Sequence, residues 1–393
     1  MHFERILKIN EQLERKSLFL FGPRQTGKTT YLKSQFNNVY KVNLLRPKDF
    51  IKYKSKINLF GEEIQYQIKN NNVQIIIVDE IQKIPELLDE VHFLIEEYKF
   101  VRFILTGSSA RKLKKAGANL LGGRASRINF HPIVSIEYGI QNYAKNLVQN
   151  LTYGFLPSVL NSKNPWAELE DYVALYLKEE IQQEAVVRSL EGFSRFLNIV
   201  ACTNGEQVNF TSLGSDAQVP PRTIKEYYQI LEDTLIGNLL PAYTETKIRK
   251  AMTTAKFYLF DPGVTNALLG RTSISEKTIE FGNLFEQAIY CELKAYLDYH
   301  GIQDSIYYWR STSMLEVDFL IKNKNNEWIG IEVKSTENPK NKDMSGLIAL
   351  EEDLKLKKKI IVCRASSPRL IEFGIEILPL QNFLEQLWNG KLI

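Results

Sequence analysis

Cysteine is scarce in this chain: three in 393 residues, Cys202, Cys291 and Cys363. They are scattered and form no C-x-x-C pair, which argues against a disulfide framework and a thiolate zinc site and fits a reducing compartment. Long apolar runs are missing too. The longest, such as Ile75 to Val78, are strand-sized and far short of the about 20 residues a bilayer-spanning helix needs. The opening Met1-His2-Phe3-Glu4-Arg5 lacks the apolar core of a signal peptide. The expectation is a cytoplasmic protein with no membrane partner. Charge of one sign is not dominant: 50 Lys and Arg face 46 Asp and Glu, a net +4. That mild basicity is compatible with nucleic acid without implying it. No internal repeat or low-complexity linker is visible.

What is present is an ordinary globular balance, 44% hydrophobic and 24% charged residues, in a chain long enough for two or three domains. Residues Glu4 to Arg15 read as a short amphipathic helix. Ser17 to Phe21 is a compact apolar run and hence a buried strand. Tyr40 to Leu44, Gln74 to Val78 and Val101 to Thr106 are three further strands, with helical stretches between them. Strands alternating with helices imply a parallel sheet, an α/β unit over residues 1–140. From Trp166 to Leu190 the texture is helical, with Tyr172, Leu175, Tyr176 and Ile181 at helical spacing. Between Thr211 and Tyr228 a short helix, a turn and a second helix opened by Pro220-Pro221 suit a winged helix-turn-helix. This central region is expected to span 141–275. The last third, 276–393, reads as α/β: a helix over Asn283 to Tyr299 and strands at 305–309, 316–321, 328–333 and 359–363, with a helix at 347–356.

Gly22-Pro23-Arg24-Gln25-Thr26-Gly27-Lys28-Thr29, with Thr30 after it, fits the GxxxxGK[ST] pattern in full. It follows a strand and opens a helix, the context in which this loop cradles phosphates. Glycines let backbone N–H groups wrap the anion, and the helix N-terminus adds a favourable dipole. Lys28 is assigned to the β- and γ-phosphates of ATP and Thr29 to Mg²⁺. Ile75-Ile76-Ile77-Val78-Asp79-Glu80 supplies the second anchor, Asp79 for the metal and Glu80 for the attacking water. Thr106 and Ser108 are candidates to touch the γ-phosphate or that water. Arg124 or Arg127 is a candidate arginine finger, acting within the subunit or from a neighbour in a homo-oligomer; Arg24 is another basic candidate. For these last residues the plain alternative is a satisfied turn or a surface ion pair.

A second constellation lies near the C-terminus. Asp318 and Glu332 fall in neighbouring strand-like runs, and Lys334 stands two residues after Glu332, on the same strand face. Paired carboxylates could hold Mg²⁺, with Lys334 positioning water or stabilising phosphate charge. Glu286 on the preceding helix completes the metal set, with Glu292 second in line. The alternative is a solvated strand face.

The order of these motifs resembles a family of bacterial and archaeal AAA-like ATPases. The likeness rests on Gly22 to Thr30, Val78-Asp79-Glu80-Ile81-Gln82-Lys83, Thr106-Gly107-Ser108-Ser109 and Gly123-Arg124. It continues in Tyr172-Val173 with Tyr176-Leu177, Tyr258 to Gly263, Glu316 to Phe319 and Ile331-Glu332-Val333-Lys334. The resemblance implies ATP binding, a winged-helix middle and a C-terminal fold similar to PD-(D/E)xK nucleases. Val317 stands where that name has proline. Two functions remain open. One is an ATPase coupled to DNA binding or cleavage. The other is an ATP-dependent switch or scaffold that contacts a partner protein and carries an inert nuclease-like domain. Arg222 and Lys225 suit phosphate contact, whereas Glu226, Tyr227 and Tyr228 suit a core or protein-facing helix.

Overall fold

In Ser17–Phe21 every side chain is buried, as expected of a strand covered on both faces. This is β1 of the computed structural model, which describes residues 3–36, 38–109, 111, 113, 121–177, 190–302 and 305–393. The chain divides into two compact units. The first holds Arg5–His131 with Asp233–Ile236, and the second Pro132–Glu232 with Gly237–Ile393.

In the first unit β1 is joined by β2 (Tyr40–Asn43), β3 (Ile75–Asp79), β4 (Arg102–Gly107) and β5 (Ala125–Asn129). The order is β2-β3-β4-β1-β5, and every pairing is parallel. Helices Lys28–Gln35, Pro47–Ser55, Ile57–Asn71 and Leu87–Glu97 lie between strands. Leu87, Leu88, Val91 and Leu94 recur at helical spacing and are buried, while Asp89 and Glu90 sit in the first turn, where negative charge suits the dipole. Phe60, Ile64 and Ile68 do the same for the Ile57–Asn71 helix. These side chains share one core with Phe19, Phe21, Val78, Phe103 and Leu105, each such burial worth about 1.5–3 kcal/mol.

Two features depart from expectation. β5 is a fifth strand in the sheet, hidden in the sequence because only Ile128 of its five residues is buried. The first helix starts at Asn10 rather than Glu4. Arg5 donates to the carbonyls of Thr26 (2.8 Å) and His131 (2.6 Å), and Leu7 O accepts from Tyr31 at 2.7 Å. These tertiary bonds hold residues 5–7 out of the helix that local periodicity favours.

The second unit begins with short helices, among them Pro165–Asp171, which continues as a π-helical stretch over Tyr172–Leu177. Of the helical stretch expected from Trp166 to Leu190, the part at 178–189, which includes Ile181, lies outside the described residues. Helices Leu190–Cys202, Phe210–Ala217 and Pro221–Asp233 follow. Asn209 caps the middle one through Thr211 and Ser212 N–H. Tyr227 packs edge-on to Phe193 (4.8 Å) and Tyr228 to Phe196 (5.1 Å) and Phe257 (4.8 Å). A two-stranded antiparallel ribbon of β6 (Gly237–Leu240) and β7 (Lys256–Leu259) comes next.

A long helix, Ile279–Tyr299, leads into β8 (Ile306–Arg310), β9 (Glu316–Lys322), β10 (Trp328–Val333), β11 (Leu356–Cys363), β12 (Arg369–Ile371) and β13 (Ile375–Pro379). The sheet order is β12-β13-β11-β10-β9-β8. β9 runs antiparallel to both β8 and β10, and β10, β11 and β13 are parallel. The helix expected over 347–356 is Ser345–Glu351, and Leu356 already belongs to β11. Among the described residues no helix is long and apolar enough to cross a membrane.

Candidate functional site

The loop after β1 turns back through left-handed backbone at Gln25 (φ 61°) and Gly27 (φ 93°), and only glycine takes the latter freely. Thr26 Oγ1 closes the turn on Pro23 O at 2.9 Å. Lys28 is buried, and its ammonium donates to Gly22 O (2.6 Å) and Pro23 O (2.8 Å). From there it is placed to exchange carbonyl for phosphate oxygens. Thr29 and Thr30 are exposed in the first turn of the helix.

Because β4 lies between β1 and β3, the polar ends of adjacent strands meet below this loop. Asp79 Oδ2 accepts from Thr29 Oγ1 at 3.2 Å, and Asp79 Oδ1 accepts from Thr106 Oγ1. Glu80 N donates to Thr106 Oγ1 at 3.4 Å. A cavity of about 170 Å³ opens beside Thr29 and Asp79, with Lys33, Lys41 and Arg46 also on its wall. A hydroxyl and a carboxylate oxygen side by side at a cavity fit a Mg²⁺ ion that completes its shell with phosphate and water oxygens. Ser108 is buried and accepts from Gln82 Nε2 at 3.2 Å.

Arg124 does not join this group: it pairs with Glu96 on the surface, and that pairing with Lys99 and Arg124 lowers the Glu96 pKa to about 2. Arg127 donates to Asn129 Oδ1 at 3.2 Å and lies 5.6 Å over the Phe21 ring. Gln82, within the 3-10 turn Ile81–Lys83, was not assigned from sequence. Its signal was a polar residue two positions after Glu80, between Ile81 and Lys83.

In the second unit Glu286, Asp318, Glu332 and Lys334 come together. Val333 N donates to Asp318 Oδ2 at 2.8 Å and Asp318 N to Glu332 Oε2 at 3.4 Å. Lys334 Nζ lies 2.5 Å from Glu332 Oε1 and 3.8 Å from Asp318 Oδ2. Three residues that sequence reasoning missed join them: Lys256 and Tyr258 from β7, and Glu316 at the start of β9. Lys256 Nζ is 2.6 Å from Glu316 Oε1 and 3.0 Å from Glu286 Oε1, and Tyr258 OH donates to Glu286. Burial pushes Glu332 well above the usual carboxylate range, with Asp318 adding to the shift and Lys334 opposing it. Burial likewise raises Glu286, against the pull of Lys256. Burial opposes the charge of Lys256, yet its anionic neighbours, Glu286 first, hold its pKa well above the lysine range.

Glu292 belongs elsewhere. It is buried and accepts from Ser135 N (2.8 Å), Ser135 Oγ (2.6 Å) and Trp388 Nε1 (2.7 Å). Burial raises its pKa to about 7 despite these donors.

Residues 14–139, which carry the phosphate-type loop and the parallel sheet, match the family model of an AAA domain. Residues 144–275 match a domain of unknown function (DUF8612) and 281–383 another (DUF4143). No curated protein matches the chain. Among solved structures, the chain is similar to domain III of the Thermotoga maritima replication initiation protein DnaA, at 16% identity over 57% of this chain and 88% of that one, with a TM-score of 0.25. A replication initiator DnaA bound to AMPPCP and single-stranded DNA matches at 12% identity over 57% and 86%, with a TM-score of 0.26.

Proposed function

We propose that this chain is a Mg²⁺-dependent ATPase whose reaction takes place at the ends of β1, β3 and β4. The observation that carries this is the meeting of Thr29, Asp79 and Thr106 below a phosphate-type loop. Backbone N–H groups from Arg24 to Thr30, where the Lys28–Gln35 helix starts, bind the β- and γ-phosphates. Lys28 leaves the Gly22 and Pro23 carbonyls for phosphate oxygens. Thr29 and Asp79 would hold Mg²⁺, which would supply positive charge to the phosphates. Thr106 fixes the rotamer of Asp79. Glu80 orients the attacking water and takes its proton as the water oxygen bonds to the γ-phosphorus and the bridging oxygen leaves with ADP. Arg124 would serve only by leaving Glu96 for the phosphates of a second copy, which requires a homo-oligomer. The test is phosphate release from ATP with and without Mg²⁺. Absence of Mg²⁺-dependent release, or release unchanged in Lys28→Ala, refutes the reading.

For the rest of the chain we propose a winged-helix element between residues 190 and 259 and, after a boundary near 275, a fold similar to PD-(D/E)xK nucleases. The first is supported by three helices followed by a ribbon, with Arg222, Lys225 and Gln229 exposed on the third helix. The second is supported by the succession of helix, three antiparallel strands, helix and parallel strand. DNA is the partner that the exposed cations suggest, and a partner protein is the alternative. Duplex affinity of the full chain should fall with salt, and Arg222→Ala with Lys225→Ala should flatten that slope by about 2. Affinity that ignores salt, or none, favours the protein partner.

A further inference from the structure

The carboxylates Glu286, Asp318 and Glu332 invite a divalent ion, and the residues around them decide whether one fits. Divalent cations need several oxygens converging on one point at about 2.0–2.6 Å. Where Glu286, Glu316 and Asp318 converge, a nitrogen already stands: Lys256 Nζ is 3.0, 2.6 and 4.0 Å from their respective oxygens. Its side chain is only 5% exposed, and the Tyr308 ring lies 5.4 Å from the ammonium, an aromatic wall that suits an organic cation. The other oxygens are committed as well. Lys334 engages Glu332 and Asp318, Arg310 engages Glu316 at 3.3 Å, and Tyr258, on the same face of β7 as Lys256, engages Glu286. Among the described residues no group of three or more His, Cys, Asp or Glu side chains is arranged to hold a metal ion.

We infer that Lys256 is the resident cation of this cluster, a tethered ammonium from the ribbon in the place where a phosphodiester-cleaving site would carry its metal. The cluster is then a closed ionic junction that fastens β7 to the Ile279–Tyr299 helix and β9. It does not hydrolyse DNA. Separating two close carboxylates, Asp318 and Glu332, from water requires such paired cations in any case. Lys256 lies outside the D…ExK pattern, which is why the motif alone suggests a metal site. This junction shares no residue with the phosphate loop or with Asp79 and Glu80.

The test uses the full chain with Asp79→Asn, without nucleotide, so that the phosphate loop contributes no ion site. Free Mn²⁺ is followed by its electron paramagnetic resonance signal. This parent should take up no Mn²⁺ into the millimolar range. Lys256→Met, isosteric and uncharged, should gain Mn²⁺ binding, and adding Glu286→Gln or Asp318→Asn should weaken it about tenfold or more. Mn²⁺ uptake by the parent that disappears with Asp318→Asn overturns the inference. So does a folded Lys256→Met variant that takes up no Mn²⁺. Should Lys256→Met fail to fold, plasmid DNA with Mn²⁺ decides alongside the parent titration: intact plasmid supports the resident lysine, and cleavage that Asp318→Ala abolishes refutes it.

Discussion

Gln82 donates its amide to Glu80 Oε2 at 2.5 Å, from two residues further along the chain. The same amide reaches Ser108 Oγ at 3.2 Å, so Gln82 ties the end of β3 to the segment after β4. The room for it comes from Gly107, where a Cβ atom would stand 2.3 Å from Gln82 Oε1. Glu80 adopts left-handed backbone, φ 60°, and this amide is one of the groups that direct its carboxylate. Gln82→Ala should lower kcat about 10- to 100-fold through misplacement of Glu80, with little change in ATP affinity. Gly107→Ala should lower kcat in the same way by displacing Gln82. Steady-state phosphate release together with calorimetric ATP binding separates the two parameters; a loss confined to affinity contradicts the positioning role.

Glu80 and Asp79 should fail differently. Glu80→Gln keeps the shape and removes the proton acceptor, so hydrolysis should drop about 10²- to 10⁴-fold while ATP binding persists. Asp79→Asn should instead weaken Mg²⁺-ATP relative to metal-free ATP. Equal behaviour of the two variants in binding and turnover would refute the division of roles.

Arg124 should matter little to an isolated subunit. Its guanidinium is engaged by Glu96 at the surface, and exposed pairs of this kind contribute little to stability. Arg124→Ala should therefore leave turnover unchanged at low protein concentration. Loss of turnover that appears only as concentration rises would reveal an arginine acting between copies.

Glu292 makes stability depend on pH with a definite sign. Its folded pKa is about 7, above the ordinary carboxylate value near 4.3. Between these values the native state binds more protons than the unfolded state, so stability falls as pH rises through this window. The contribution is present in full below the lower value, and about 3 kcal/mol of it is lost by the top. Urea melts from pH 4.5 to 7.5 should show this fall, and Glu292→Gln should flatten it; an unchanged slope would place the titration elsewhere.

The phosphate loop and Asp79-Glu80 were legible in the sequence because their residues are contiguous and their chemistry needs a fixed order. The carboxylate pair was legible for a similar reason, since β9 and β10 are successive antiparallel strands that bring Asp318 and Glu332 side by side. Lys256 and Tyr258 were not, because they arrive from a ribbon separated from β9 by the whole Ile279–Tyr299 helix. β12 and β13 escaped notice as well. Arg369, Leu370 and Ile371 are all at least partly exposed, and short strands without alternating burial carry little periodic signal. The early start of the first helix failed because Arg5 is bonded to distant carbonyls that no local pattern reveals.

The bond between Trp388 Nε1 and Ser135 Oγ spans 253 positions of chain. A ribosome adding about 5–20 residues per second needs on the order of 10 to 50 seconds to bridge that interval. Throughout it, Ser135 and its neighbours lack the indole that shares Glu292 with them. Nascent chains interrupted before Trp388 should therefore be open to proteases around residue 135, whereas the same segment in released chains is protected.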